Sequence, residues 1–171
     1  MNQVQKVTGI LTPKTIYRLQ LLLSKLDWLL AADNESEEHN KLNLNLKFLG
    51  LSRDTLDNPD RELWHRLNDF GLIITESVCQ KIDLKYKNIN RFMWNLYKPN
   101  EEGQMHTDCL SDNCFTILYS LNTSDGYLIV GDQKIYDKQD EAKIFKSNIL
   151  HKGVGPTKDK YRLNLNIVLS T

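Results

Sequence analysis

Apolar and polar residues alternate in three segments of the C-terminal half, residues 91–97, 114–121 and 162–169. Strict alternation predicts β-strands with two unlike faces, because successive side chains of a strand point to opposite sides of the sheet. The last segment divides most clearly. Its apolar face comprises Leu163, Leu165, Ile167 and Leu169. Its other face carries Arg162, Asn164 and Asn166, so we expect it to border a polar interior.

The other two segments repeat this arrangement. Residues 91–97 alternate apolar side chains with a mixed face that includes Asn95 and Tyr97, and residues 114–121 place Thr116 among smaller or more polar side chains. Three strands of this kind predict a curved sheet that is covered by helices outside and lines a cavity inside.

Helical periodicity is confined to the N-terminal half. Thr12-Pro13 predicts the start of a helix, because threonine caps a helix and proline is tolerated at its first position. The helix is expected to run to about Ala32 on six regularly spaced residues: Leu19, Leu22, Leu23, Leu26, Leu29 and Leu30. Asn58-Pro59 predicts a second, long helix that passes through Gly71 to Ile82. Short strands are predicted over residues 4–11 and 42–50, on either side of an acidic surface loop at 33–38.

Composition narrows the class of protein. The 171 residues fit one domain, and the 22 Lys and Arg residues equal the 22 Asp and Glu residues, so no overall field favours nucleic acid or an anionic membrane. The basic stretch 81–91 is expected to be ordinary solvated surface. No apolar run is long enough to span a membrane and no signal-peptide pattern is present. The absence of these segments makes a cytosolic location the default expectation. The three cysteines form no paired framework, so we expect reduced thiols.

Candidate metal chemistry lies in Gln104-Met105-His106-Thr107-Asp108. In an extended segment residues i and i+2 share a face, so His106 and Asp108 are expected to reach one point. Two histidines and one carboxylate form the metal-binding triad of non-haem Fe(II) oxygenases, and His151 is the candidate for the second histidine. Residues 149–156 around it are interpreted as a strand end that runs into a turn. The alternative is an accidental coincidence of a loop histidine, a turn carboxylate, His151 and Arg162.

The chain resembles a known family over roughly residues 89–169. The resemblance rests on the motif from Tyr97 to Asp108, on Thr116-Ile117-Leu118-Tyr119-Ser120-Leu121-Asn122, on Ile144-Phe145 leading to His151, and on Arg162. These pieces are similar to the 2-oxoglutarate and Fe(II)-dependent dioxygenases, in particular their prolyl 4-hydroxylase-like branch. The family implies a mainly β (α+β) fold, a double-stranded β-helix of the jelly-roll or cupin type, with helices on the outer face of the major sheet.

The resemblance also implies residue roles. His106, Asp108 and His151 would bind Fe(II), and Arg162 and Tyr97 would bind the distal carboxylate of 2-oxoglutarate, since arginine offers a flat fork of donors. The polar faces supply the remaining candidates for the cosubstrate site: Asn95, Thr116 and Asn166. Two departures stand out. The cosubstrate-binding tyrosine of many relatives is replaced by Ser120, and their Gly-Gly pair is reduced to Gly126.

The expected activity is therefore Fe(II)- and 2-oxoglutarate-dependent hydroxylation with O2 as oxidant and succinate and CO2 as products. A prolyl or other amino-acid residue is the expected substrate, and a nucleic-acid-modifying oxygenase or a non-catalytic jelly-roll binding module are the alternatives. The residues 1–171 would form a single domain, with 1–88 as support and 89–171 as the double-stranded β-helix. Segments 33–58 and 99–113 are the expected rim of the site.

Overall fold

The computed structural model of the chain describes residues 4–25, 29–30, 47–50 and 61–171, and these residues form two antiparallel sheets and two helices. The helices are α1 (Pro13–Leu23) and α2 (Arg61–Ile82). The strands are β1 (Gln5–Thr8), β2 (Leu29–Leu30), β3 (Lys47–Gly50), β4 (Asn88–Tyr97), β5 (Cys114–Ser120), β6 (Ser124–Val130), β7 (Gln133–Asp137), β8 (Glu141–Lys146), β9 (His151–Val154) and β10 (Arg162–Ser170). The mainly β fold implied by the family resemblance is confirmed.

The major sheet has seven strands in the order β1-β8-β5-β10-β4-β3-β2, and the minor sheet has three in the order β7-β6-β9. β10 pairs with β4 on one side and β5 on the other. Its register sets Arg162 opposite Tyr97 and Asn164 opposite both Asn95 and Ser120. Because directly paired residues of antiparallel strands share a face, the polar positions of the three central strands meet on one side of the sheet.

The main core lies between the helices and the opposite face of the major sheet. All four apolar β10 residues named above are buried there, together with Trp94 of β4 and residues such as Leu19 of α1 and Ile74 of α2. A smaller cluster fills the space toward the minor sheet: Leu118, Leu128, Val130 and Phe145. The helices therefore cover the outside of the major sheet, as predicted, and leave its polar face for the site.

The N-terminal turn is fastened to the sheet by one carboxylate. Asp140, in the turn between β7 and β8, accepts hydrogen bonds from the backbone N–H groups of Gly9, Ile10 and Leu11 at 2.9–3.2 Å. The hydroxyl of Tyr119 donates to the same carboxylate at 2.9 Å. Gly9 has φ +71°, a conformation that glycine adopts without strain. The turn at Gly9 follows the last residue of β1, Thr8, so the strand ends earlier than the predicted end at Leu11.

Helix α1 begins as predicted, with the Thr12 side chain accepting a hydrogen bond from the Thr15 N–H. Its predicted end near Ala32 is wrong, because the helix stops at Leu23 and Leu29–Leu30 pair with β3 as a strand. A short leucine run suits either periodicity, and strand pairing decides between them here. Helix α2 passes through Gly71 to Ile82 as predicted. The predictions for 31–46 and for Asn58-Pro59 lie outside the described residues.

Within the described ranges, neither helix combines the length and the apolar character needed to cross a membrane.

Candidate metal and cosubstrate site

Three potential metal ligands converge beside the minor sheet. His106, Asp108 and His151 each offer a ligand atom, and these atoms all lie within 4.8 Å of one another. Paired backbone hydrogen bonds of 3.0 and 2.9 Å join His106 to His151, and the Asp108 N–H donates to the carbonyl of Ser147. The three side chains are thus brought together by residues from two distant parts of the chain. Among the described residues this is the one cluster of histidine, cysteine and acidic side chains with metal-binding spacing.

Both histidines are held with the same ring nitrogen toward Asp108. The Nδ1 atom of His106 lies 2.9 Å from the Gln104 carbonyl, and Nδ1 of His151 lies 2.9 Å from the Ile149 carbonyl. A carbonyl only accepts hydrogen bonds, so each Nδ1 is the donor and the neutral ring presents its Nε2 lone pair. Outer hydrogen bonds of this kind orient metal-binding histidines.

The donor set fits a divalent metal ion. The Nε2 atom of His151 is buried and makes no hydrogen bond, although Oδ2 of Asp108 is 3.2 Å away. Nε2 of His106 lies 3.5 Å from Oδ1 of the same carboxylate. A buried nitrogen without a hydrogen bond is costly, and a metal ion shared by the three groups would satisfy it.

Asp108 is kept ionised by its surroundings. Burial alone would raise its pKa, but hydrogen bonds that the two imidazoles donate when they are protonated, together with the charge of Arg91, outweigh burial and hold the pKa well below its usual value. Arg91 forms an ion pair with Oδ1, and the Thr116 hydroxyl donates to Oδ2 at 2.7 Å. The basic stretch 81–91 was expected to be plain solvated surface, and this is wrong for Arg91, whose side chain turns into the site.

All five residues predicted to bind the cosubstrate line one cavity with the two histidines. The cavity-lining residues are Asn95, Tyr97, His106, Thr116, Leu118, Leu128, Phe145, His151, Gly153, Arg162 and Asn166. Its volume is about 20 Å³, enough for little more than one water molecule. Binding of a dicarboxylate would therefore require lining side chains to move apart.

Arg162 and Tyr97 lie together at the cavity wall. The guanidinium carbon of Arg162 is 4.8 Å from the centre of the Tyr97 ring, and Arg162 is 1 % exposed. Burial raises the pKa of Tyr97, so its hydroxyl stays protonated and able to donate. Two strand glycines make room for the arginine. A Cβ on Gly153 would lie 2.6 Å from Nη1 of Arg162 and closer still to the Tyr97 hydroxyl, and one on Gly126 would lie 2.8 Å from Cδ of Arg162.

A buried charge network behind Arg162 was not predicted. Asp137 accepts from Nε of Arg162 at 2.8 Å, and the fully buried Lys143 donates to Asp137 at 2.9 Å and to Ser120 at 2.8 Å. Burial opposes ionisation of Asp137, but the charges of Arg162 and Lys143 outweigh it and lower the pKa of this carboxyl. Burial also lowers the pKa of Lys143, against the opposing influence of Asp137. Nothing in the sequence indicated that Asp137 and Lys143 are buried, because charged residues on short strands are usually exposed. The one related signal was Ser120, which replaces a tyrosine that many relatives have.

Local structure around the ligands differs from expectation in two respects. His106 forms an isolated bridge and Asp108 lies in a bend, so the pair is not part of a regular strand. His151 opens β9 rather than ending a strand, and Gly153 lies within β9. The side chains of His106 and Asp108 nevertheless reach the same point beside His151.

The expectation of three reduced cysteines is wrong. Cys109 and Cys114 form a disulfide with their Cα atoms 6.3 Å apart, while Cys79 is free and buried. The loop between the two cysteines leads from Asp108 back into β5 and so brings their side chains together. Their spacing matches no standard cysteine motif, so the sequence did not indicate the pairing.

No protein-family model and no curated protein sequence matches the chain. Solved structures are similar in fold. The non-haem α-ketoglutarate-dependent carbocyclase SnoK from nogalamycin biosynthesis is 9 % identical with a TM-score of 0.70, over 98 % of this chain and 79 % of that one. A 2OG-Fe(II) oxygenase family oxidoreductase from Burkholderia pseudomallei is 14 % identical with a TM-score of 0.65, over 98 % and 84 %.

The collagen prolyl hydroxylase of Paramecium bursaria Chlorella virus-1, in a 2-oxoglutarate complex, is 15 % identical with a TM-score of 0.60, over 98 % of this chain and 96 % of that one. The chain therefore has the fold of the 2-oxoglutarate and Fe(II)-dependent oxygenases, as the sequence motifs predicted. The reactions named for these neighbours differ, so the fold leaves the substrate open.

Proposed function

We propose that the chain is a 2-oxoglutarate and Fe(II)-dependent dioxygenase that hydroxylates an amino-acid residue, with peptidyl proline as the first candidate. One observation carries the proposal. His106, Asp108 and His151 converge on a point that also borders the cavity lined by Arg162 and Tyr97. A two-histidine, one-carboxylate set is the arrangement used for non-haem Fe(II) in oxygenases.

The protein's share of the chemistry is to hold and orient the reactants. The Nε2 atoms of His106 and His151 and the carboxylate of Asp108 would hold the metal, with the Gln104 and Ile149 carbonyls fixing the rings. Bound Fe(II), with 2-oxoglutarate and O2, supplies the oxidation that turns a substrate C–H into C–OH while 2-oxoglutarate becomes succinate and CO2.

Arg162 and Tyr97 would bind the distal carboxylate of 2-oxoglutarate. Arg162 offers charged donors from a buried position, and the protonated Tyr97 adds a neutral one. The other three candidates have further partners. Thr116 donates to Asp108, the Asn95 amide donates to Asn164, and Asn166 accepts a 3.4 Å contact from Arg91. Thr116 therefore also positions a metal ligand.

Support for a prolyl substrate is the motif resemblance and the viral collagen prolyl hydroxylase among the structural neighbours. Of the proposed rim, residues 99–113 contain two of the ligands, His106 and Asp108, and expose Leu110, which is suited to an apolar contact with a peptide. A nucleic-acid substrate is disfavoured by the equal numbers of acidic and basic residues. A non-catalytic binding module is disfavoured by the complete ligand set with Arg162.

A single domain over 1–171 and a cytosolic location remain predictions. The Cys109–Cys114 disulfide is an argument against the second, because disulfides persist mainly in oxidising compartments. Labelling of free thiols in protein taken from its own cells under acid quench tests it: a disulfide-bonded pair there would overturn the cytosolic assignment.

Succinate formation tests the activity. Wild-type protein supplied with Fe(II), 2-oxoglutarate and O2 is expected to form succinate, faster with proline-containing peptides that are substrates. Asp108→Ala should abolish the iron-dependent signal because it removes a metal ligand. Asp112→Ala is the matched control, an acidic residue in the same loop that bonds Asn148 and lies outside the ligand set. Near-normal turnover in Asp108→Ala would overturn the ligand assignment.

A further inference from the structure

Arg162 presents two sides to two different environments. Its Nε lies 2.8 Å from one oxygen of Asp137 and its Nη2 lies 3.5 Å from the other. The edge of the guanidinium formed by Nε and Nη2 therefore hydrogen-bonds to Asp137. Its Nη1 lies next to the backbone of Gly153 on the cavity wall. The outer end of the fork is therefore the part that can meet a ligand.

The carboxylate of Asp137, which is hydrogen-bonded to Arg162, should reduce the attraction of Arg162 for a second anion. Taken alone, Arg162 and Asp137 form a neutral pair, and an incoming carboxylate would meet no net charge. The fully buried Lys143 changes this, because its ammonium group donates to the second oxygen of Asp137 at 2.9 Å. The three buried groups together carry one positive charge.

The network continues to the surface without changing that total. Glu141 lies 3.8 Å from Lys143, and Lys6 lies 3.3 Å from the same Glu141 oxygen, with its side chain about half exposed. The network therefore contains three cations and two anions and carries one net positive charge. Its cavity end is Arg162, and the remaining cations and anions compensate one another.

We propose that Lys143 determines the affinity of the cavity for a dicarboxylate by neutralising Asp137, and that Asp137 is a positioning residue that keeps the outer fork of Arg162 toward the cavity. This inference rests on the proposed binding of 2-oxoglutarate. It also explains Ser120, because a tyrosine at that position would occupy the space where the serine hydroxyl receives the lysine at 2.8 Å.

Two ligands separate a charge effect from a general loss of structure. 2-Oxoglutarate carries the distal carboxylate, whereas 2-oxopentanoate has a methyl group in its place and the same 2-oxo acid head. Affinities for both are measured by calorimetry on full-length protein loaded with Mn(II), without turnover. In Lys143→Met the affinity for 2-oxoglutarate should fall about 10- to 100-fold while that for 2-oxopentanoate changes less than about twofold, since only the charged end senses the lost cation.

The double variant Lys143→Met/Asp137→Asn restores the net charge and keeps an oxygen acceptor for Nε of Arg162. Its 2-oxoglutarate affinity should return to within about threefold of the wild type. Ser120→Ala, which removes a hydrogen bond of Lys143 and no charge, is the matched control and should leave the ratio of the two affinities unchanged. An unchanged ratio in a folded Lys143→Met protein would overturn the inference.

Glu141→Gln covers the case in which Lys143→Met does not fold. Removing this anion leaves the network with one more positive charge, so binding of 2-oxoglutarate should tighten about threefold while binding of 2-oxopentanoate stays constant. An unchanged ratio there also contradicts the inference. Failure of the proposed function looks different, because wild-type protein would then bind no 2-oxoglutarate with the metal present.

Discussion

Replacing Gly153 with alanine adds a methyl group where the side chains of Arg162 and Tyr97, the proposed cosubstrate-binding pair, meet. The new Cβ would lie 2.6 Å from Nη1 of Arg162 and nearer to the hydroxyl of Tyr97, whereas ordinary van der Waals contact begins at 3.4 Å. The guanidinium must therefore retreat by about 0.8 Å, in a close-packed wall that transmits the shift. A displacement of that size misaligns the donors that are expected to face the distal carboxylate.

The expected cost is one charge-assisted hydrogen bond, about 1.5–3 kcal/mol, or a roughly 10- to 150-fold weaker affinity for 2-oxoglutarate. Calorimetric titration of the Mn(II)-loaded protein measures it, and an unchanged Mn(II) affinity shows that the ligand cluster is intact. Gly71→Ala in α2 is the matched control, since its nearest neighbour is the Phe92 ring at 3.2 Å, on the core side of the sheet. Wild-type 2-oxoglutarate affinity in Gly153→Ala would refute this reasoning.

Three further predictions concern the fold and the ligands. Asp140→Ala should lower the free energy of unfolding by about 2–4 kcal/mol in urea titrations, because it leaves three backbone donors and a hydroxyl unpaired. Cys109→Ser/Cys114→Ser should cost about 2 kcal/mol through the entropy of the six-residue loop, and equal stability under oxidising conditions would contradict that. Thr116→Val removes the 2.7 Å hydrogen bond to Asp108 and should weaken Mn(II) binding about 10- to 100-fold; a smaller change than twofold would exclude this positioning role.

Periodic features of the sequence predicted much of the fold because one physical rule controls them. Alternation in β10 separates a core face from a cavity face, and both are found as expected. The threonine and proline at the start of α1 act through local geometry, which needs no tertiary information. His106 and Asp108 were recognisable as candidate ligands because a histidine and a carboxylate two residues apart can reach the same point in an extended segment. The structure brings His151 to that point as well.

Features that depend on long-range pairing escaped sequence analysis. Asp137 and Lys143 resemble the solvated charges of any short strand, and only the convergence of β7, β8 and β10 buries them together. Arg91 was predicted to belong to a solvated basic surface, because the sequence does not show that the loop carrying Asp108 folds beside it. Leu29–Leu30 became a strand because β3 was available as a partner. In each case a deciding contact joins residues that are distant in sequence: Arg162 with Asp137, Asp108 with Arg91, and Leu29 with Phe48.

Metal-dependent binding of 2-oxoglutarate tests the central claim most directly. Titration of the wild-type chain with Mn(II), followed by 2-oxoglutarate, is expected to show one metal ion per chain and a dicarboxylate that binds only when the metal is present. His106→Ala, Asp108→Ala and His151→Ala should each weaken the metal and with it the dicarboxylate, while Arg162→Ala should weaken the dicarboxylate alone. Metal affinity that is indifferent to all three ligand substitutions, or 2-oxoglutarate binding that needs no metal, would contradict the account.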